Sequence, residues 1–193
     1  MLDNRIDQRF KRTWEFFLAH AGNLMLGGLV VIAGSLVVLP GPWFALNLVQ
    51  ETLECVQTGR PVRWQAAFDR KGNFLRAWWL TLAMGVPLLV GFALLILPGV
   101  LLSLYWFLAP VLVADGRKVV DALGESGRIF MRRKDWATYF LNWLVPCVLW
   151  SLGGITAFAF VLTLPLSLTY LVLCYTDEIG TVPFEPPGVG LRA

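Results

Sequence analysis

The sequence predicts an all-α polytopic membrane protein with about six transmembrane helices, arranged as three helical hairpins with amphipathic cytoplasmic linkers. The 193 residues are 57% hydrophobic and 15% charged, whereas soluble domains carry about 25% charged residues. The stretch from Ala77 to Ala114 contains no acidic, basic or histidine residue, and about 20 apolar residues suffice for one crossing. All sixteen Lys and Arg residues lie in 1–12, 60–76, 117–134 or at Arg192.

The chain begins with a basic amphipathic segment over residues 1–14. Apolar side chains recur there every four residues from Leu2 to Phe10, among basic ones. This spacing predicts a helix that lies in the membrane interface. It precedes a single transmembrane domain over 15–178.

The first hairpin of that domain joins a crossing at 16–39 to a shorter return at 43–57. Glu51 and Glu54 near the end of the return are expected to emerge among the lipid headgroups. The short length leaves open whether this second helix crosses fully. A surface linker follows at 58–73.

The central hairpin joins crossings at 74–97 and 99–114 through the break Leu97-Pro98-Gly99. Proline lacks an amide donor and glycine tolerates a reversed backbone, so the pair favours a turn. A similar Leu-Pro pair at 164–165 predicts the turn of the last hairpin. The remaining segments are a surface linker at 115–136, crossings at 137–162 and 165–176, and an extended tail at 179–193. Whether the three hairpins form a true repeat stays open.

The distribution of basic residues predicts the orientation of the chain. Lys and Arg are retained on the cytoplasmic side during membrane insertion. Both termini and both long linkers are therefore expected in the cytoplasm, and six crossings satisfy that parity.

The residues that carry chemistry in enzymes are sparse in this sequence. The acids are isolated or adjacent to basic residues, and the one histidine, His20, is far from any candidate nucleophile. The three cysteines have no metal-ligand spacing. We therefore expect no enzyme activity, no metal and no cofactor, and no nucleic acid as a partner.

Two kinds of binding site stay open. Polar side chains in the apolar segments, His20, Asn23 and Asn142, are either interhelical hydrogen-bonding groups or the lining of a transport cavity. Basic residues beside amphipathic elements attract anionic lipid headgroups. The candidates for headgroup or partner contact are Arg63, Arg70, Lys71, Arg128, Arg132, Arg133 and Lys134.

Short motifs in the second half of the chain support a family resemblance. They are the Leu97-Pro98-Gly99 break, Ala109-Pro110, Ala114-Asp115-Gly116, the segment from Asp121 to Ser126, Leu164-Pro165, and Tyr170 with Tyr175. Together they resemble a broad group of bacterial integral membrane proteins of unknown function, related to the membrane domain of some glycerophosphodiester phosphodiesterases. The resemblance implies a multi-helix membrane fold and no active residues, because catalysis in the fused proteins belongs to a separate soluble domain.

The expected function is that of a non-catalytic scaffold or interaction subunit of the bacterial inner membrane. Such a protein would contact lipids and partner proteins through helix faces and basic linkers, and would self-associate. The alternative is a small-molecule or lipid transporter with a polar cavity near His20.

Overall fold

The computed structural model describes residues 2–37, 39–69, 73–132, 135–155 and 157–179. These residues form helices and connecting turns and contain no β-strand, so the predicted all-α class is confirmed for this part of the chain. The helices are α1 Leu2–Leu36, α2 Gly41–Thr58, α3 Ala66–Asp69, α4 Asn73–Leu94, α5 Ile96–Tyr105, α6 Ala109–Ala114, α7 Val119–Arg132, α8 Trp136–Ile155 and α9 Ala157–Ile179.

Among the described residues, four segments are long and apolar enough to cross a membrane: Ile6–Leu36, Asn73–Leu94, Ile96–Ala114 and Ala159–Glu178. They are compatible with a multi-pass membrane protein. The predicted crossings at 43–57 and 137–162 are not among them. Within α2 two glutamates and three amides lower the hydropathy.

The predicted interfacial helix 1–14 is continuous with the first crossing. Both belong to α1, whose regular geometry is interrupted at His20, where φ is −123° and ψ is 16°. Arg9 and Arg12 bind the carboxylate of Asp177 near the end of α9, at 2.7 and 3.1 Å. The basic N-terminal segment therefore packs along α9, which was not expected from its amphipathic pattern.

The turn of the central hairpin lies two residues before the predicted Leu97-Pro98-Gly99 break. Leu95 is extended, with φ −163° and ψ 144°. Pro98 falls in the first turn of α5, where an amide donor is not needed. Gly99 allows close packing, since a Cβ on Gly91 would lie 3.1 Å from its Cα.

The turn predicted at 164–165 is wrong. The helix α9 runs without interruption from Ala157 to Ile179 and contains Pro165. Proline is tolerated inside membrane helices when neighbouring elements hold the helix together. Here Pro165 packs on α1, because a Cβ on Gly28 would lie 3.2 Å from its Cδ.

The core is built around α2, which packs against α1, α3, α4, α6 and α9. Its side chains Leu46, Leu53 and Val56 are buried together with residues of α6 and α9. The N-terminal end of α2 lies near the start of α4, because the indole N–H of Trp78 donates to the Leu39 carbonyl at 2.9 Å.

Candidate lipid-binding site

The helix α7 packs against the turn that separates α5 from α6 and supplies hydrogen bonds to its backbone. Its Ser126 hydroxyl is fully buried, donates to the Tyr105 carbonyl at 2.9 Å and accepts from the Leu108 amide at 3.3 Å. These two backbone groups belong to the turn where the helix is interrupted, and buried polar groups need such partners. Gly127 lies against the Tyr105 ring, and a Cβ at Gly127 would overlap it.

The apolar face of α7 is used by the protein itself. Val119, Ala122 and Phe130 are buried against neighbouring helices. The linker at 115–136 was predicted as an amphipathic surface element, and in the structure its apolar face contacts protein. The polar face, with Arg128 and Arg132, stays exposed.

Of the basic residues predicted to contact headgroups or partners, Arg128 and Arg132 lie on α7 within the described part of the chain. Arg128 donates from Nε to the Gly124 carbonyl at 3.4 Å, within its own helix. No ion pair or hydrogen bond involves the side chain of Arg132 in the described part of the chain. Arg70, Lys71, Arg133 and Lys134 lie outside the described residues.

An apolar groove of about 390 Å³ lies between α5 and α8, next to Phe130 of α7. One wall is a helical stripe of α5, spaced i, i+3, i+4 and i+7. The other wall is the first turns of α8, and Phe130 closes one end with its ring 4.7 Å from that of Trp136. The lining residues are Leu97, Val100, Leu101, Leu104, Phe130, Trp136, Ala137 and Phe140. We call this cavity the α5–α8 groove.

Another cavity, of about 400 Å³, lies between α8 and α9. Its lining includes Trp143, Cys147 and Leu168. The indole N–H of Trp150 donates to the Ser167 hydroxyl at 2.8 Å at its edge. No charged side chain contributes to this lining, so it suits an apolar occupant.

Arg63 belongs to an ion-pair cluster around the buried Glu51, which the sequence did not reveal. Glu51 is fully buried, although it was expected among the headgroups. Its two carboxylate oxygens accept from Arg60 at 2.6 and 2.9 Å, and the backbone amide of Arg63 donates at 3.1 Å. The hydrogen bonds to Glu51 raise the pKa of Arg60 above its ordinary value against the opposing effect of partial burial. The only signal in the sequence was a carboxylate inside an apolar helix.

Two of the polar residues proposed for a transport cavity make hydrogen bonds typical of packed helices. His20 bonds the Phe16 carbonyl of its own helix through Nδ1 at 3.0 Å. Asn142 is buried on α8 and accepts from the Tyr170 hydroxyl at 2.8 Å, which is the interhelical hydrogen bond expected of it. Neither His20, Asn23 nor Asn142 lines either of the two cavities.

The motif residues that carry the family resemblance have structural partners. The Tyr175 hydroxyl donates to Asp115 at 2.7 Å and joins α9 to the end of α6. The Tyr170 hydroxyl donates a hydrogen bond to Asn142, and the Ser126 hydroxyl donates one to the Tyr105 carbonyl in the turn before α6. Among the described residues no group of His, Cys, Asp or Glu is arranged to hold a metal ion.

Comparison of the chain with protein-family models, with curated proteins and with solved structures gave no match. The family resemblance of the motifs therefore stays a prediction.

Proposed function

We propose that the protein is a non-catalytic scaffold of the bacterial inner membrane, which self-associates and contacts lipids and partner proteins. The observation that carries this proposal is the exposure of the α4–α5 hairpin. Only Ala77, Leu80 and Gly91 are buried along the 22 residues of α4. Contiguous exposed apolar surface of this kind marks a membrane or protein contact.

In the proposed arrangement the chain crosses the membrane six times, with both termini and both basic linkers in the cytoplasm. The four apolar spans supply the framework of this arrangement. The more polar helix α2 would be shielded by its neighbours, whereas α8 would face lipid with its exposed apolar side chains. Such a topology leaves little protein on the far side, which suits a scaffold better than a receptor.

Self-association is proposed to use the α4 side of the hairpin. Gly85 lies there with no atom within 4 Å of the position that a Cβ would occupy. A small residue on an exposed membrane helix allows a second helix to approach its backbone closely. The open space also means that a larger side chain at this position would not disturb the fold of one chain.

The test is native mass spectrometry of the full chain, extracted with its own lipids. We expect a defined oligomer for the natural sequence, and an association constant lowered at least about tenfold, or ~1.4 kcal/mol, by Gly85→Leu. Gly22→Leu on α1 is the matched control, because a Cβ there also meets no atom within 4 Å. A natural chain that stays monomeric in mild detergent and in native bilayers would exclude the self-associating scaffold.

A further inference from the structure

We propose that the α5–α8 groove binds the acyl chain of an anionic phospholipid, with the headgroup placed beside Arg132. This inference rests on the proposed function and names a lipid class for it. The groove is apolar on both walls, and ligand pockets of a few hundred Å³ are large enough to bury small molecules or parts of them.

The size of the groove argues for a lipid chain over a protein helix. An α-helix with its side chains is about 10 Å across. Such a cylinder would fill about 390 Å³ within one turn. A flexible hydrocarbon chain can instead follow the stripe from Leu97 to Leu104 and bury its methylene groups along the length of the groove.

The charge beside the groove argues for an anionic headgroup. Phe130 and Trp136 close the groove, and Arg132 lies between them in the sequence. The exposed face at this end of α7 carries Arg128 and Arg132, and the sequence from 133 to 135 adds two basic residues and one acid. The acid, Asp135, is engaged, since its two carboxylate oxygens accept from the backbone amide and the hydroxyl of Thr138 at 3.1 and 2.6 Å.

The side chain of Arg132 is available for this role. It is exposed and lies on the polar face of α7 at the end of the helix. A long arginine side chain can lie along apolar surface and keep its guanidinium at the headgroup level. The exposed indole of Trp136 marks the same level, as tryptophan does at membrane interfaces.

The test titrates the full chain in nonionic detergent with phosphatidylglycerol or with phosphatidylcholine of identical acyl chains, and counts bound lipids by native mass spectrometry. We expect one tightly retained lipid and a preference for phosphatidylglycerol of about fivefold or more. Arg132→Gln should remove most of this preference and leave phosphatidylcholine binding unchanged. Lys118→Gln, which removes an exposed charge at the other end of α7, should keep it.

The groove itself is tested by filling it. Ala137→Trp places a large ring in the groove and should abolish retention of both lipids at least tenfold. Val148→Trp changes an exposed residue of the same helix that lies outside the groove, and should have no effect. Thermal unfolding of both variants checks that the fold is kept.

Equal binding of the two lipids by the natural chain would overturn the proposal, as would equal retention by Ala137→Trp and Val148→Trp. An oligomer that Ala137→Trp dissociates would show that a second copy occupies the groove, and would also overturn it. A protein that oligomerises without Ala137-dependent lipid retention loses the lipid site and keeps the scaffold. A monomer that retains the lipid keeps the lipid site and loses the self-associating scaffold.

Discussion

The burial of Glu51 depends on partners that lie outside its own helix. A fully buried carboxylate is costly unless it is paired and hydrogen-bonded. Its partners come from the segment after α2, where Gly59 adopts φ +70° and turns the chain so that Arg60 faces back toward the carboxylate. From the sequence of α2 alone, Glu51 is expected to face the headgroups, because its partners Arg60 and Arg63 come only after the helix ends.

We expect Arg60→Gln to lower the free energy of unfolding by about 3–5 kcal/mol, because it leaves a buried charge without its main partner. Arg63→Gln should cost less than about 1 kcal/mol. The Arg63 side chain is more than half exposed and lies 3.7 Å from the carboxylate, and its backbone amide remains in the variant. Chemical unfolding in detergent micelles measures both.

The double variant Glu51→Gln/Arg60→Gln is the internal control for this prediction. It removes the buried charge together with its partner, so it should be more stable than Arg60→Gln alone. Equal losses for Arg60→Gln and Arg63→Gln would show that the bidentate contact is not the important one.

At the scale of an element, α7 illustrates why an amphipathic pattern does not identify its partner. The pattern indicated a helix with one apolar face, and the structure places that face on the interrupted α5–α6 segment. Ser126 and Gly127 fit the interruption, one through hydrogen bonds and one through the absence of a side chain. The periodicity that predicts a membrane-surface helix is the same one that predicts a helix packed on protein.

The two glycines of α7 are expected to respond in opposite directions to the same substitution. Gly127→Ala should destabilise the protein by about 1–3 kcal/mol, because the new methyl group overlaps the Tyr105 ring. Gly124→Ala meets no atom within 4 Å and should stabilise by up to about 1 kcal/mol through helix propensity. Thermal unfolding compares them, and hydrogen exchange of α7 amides should be accelerated only in Gly127→Ala.

Shortening the opposing side chain provides the check on that mechanism. Gly127→Ala combined with Tyr105→Leu should recover part of the loss, because the overlap is relieved. If Gly127→Ala exchanged its α7 amides as slowly as the natural chain, the close packing of α7 on the interrupted segment would be unimportant.

For the whole molecule, the central question is how the helices are placed across the membrane. The proposed six crossings place the turn at Leu39 on the side opposite the linker at 58–73. In the structure Trp78, five residues or about 7.5 Å of helix after Asn73, bonds the Leu39 carbonyl. The turn therefore lies close to the start of α4, and its side of the membrane decides whether α2 crosses.

We predict opposite labelling of two single cysteines placed in a background where Cys55, Cys147 and Cys174 are replaced by alanine. A membrane-impermeant maleimide should reach Lys118→Cys only from the cytoplasmic side, because the basic linker is retained there. The proposed six crossings require that it reach Leu39→Cys only from the other side, although the Trp78–Leu39 hydrogen bond brings that turn near the start of α4. Labelling in intact and in inverted vesicles measures both positions.

Val120→Cys is the control for this labelling, because it lies two residues after Lys118 on the same linker and is also exposed. It should react from the same side as Lys118→Cys. Reaction of Leu39→Cys from the cytoplasmic side would mean that α2 does not cross and would reduce the number of crossings.

The helical class, the uncharged stretch from Ala77 to Ala114 and the places where charged linkers interrupt apolar segments were predictable from the amino-acid sequence. Composition and periodicity carry this information locally, since an apolar run must bury its backbone groups in its own helix whatever its neighbours are. The tertiary structure alone decided that Pro165 continues a helix, that Glu51 is buried and that α7 packs on protein. Those outcomes depend on contacts with residues outside the helix concerned, and no periodic pattern within that helix records which side chain of another segment supplies a hydrogen bond or fills a gap.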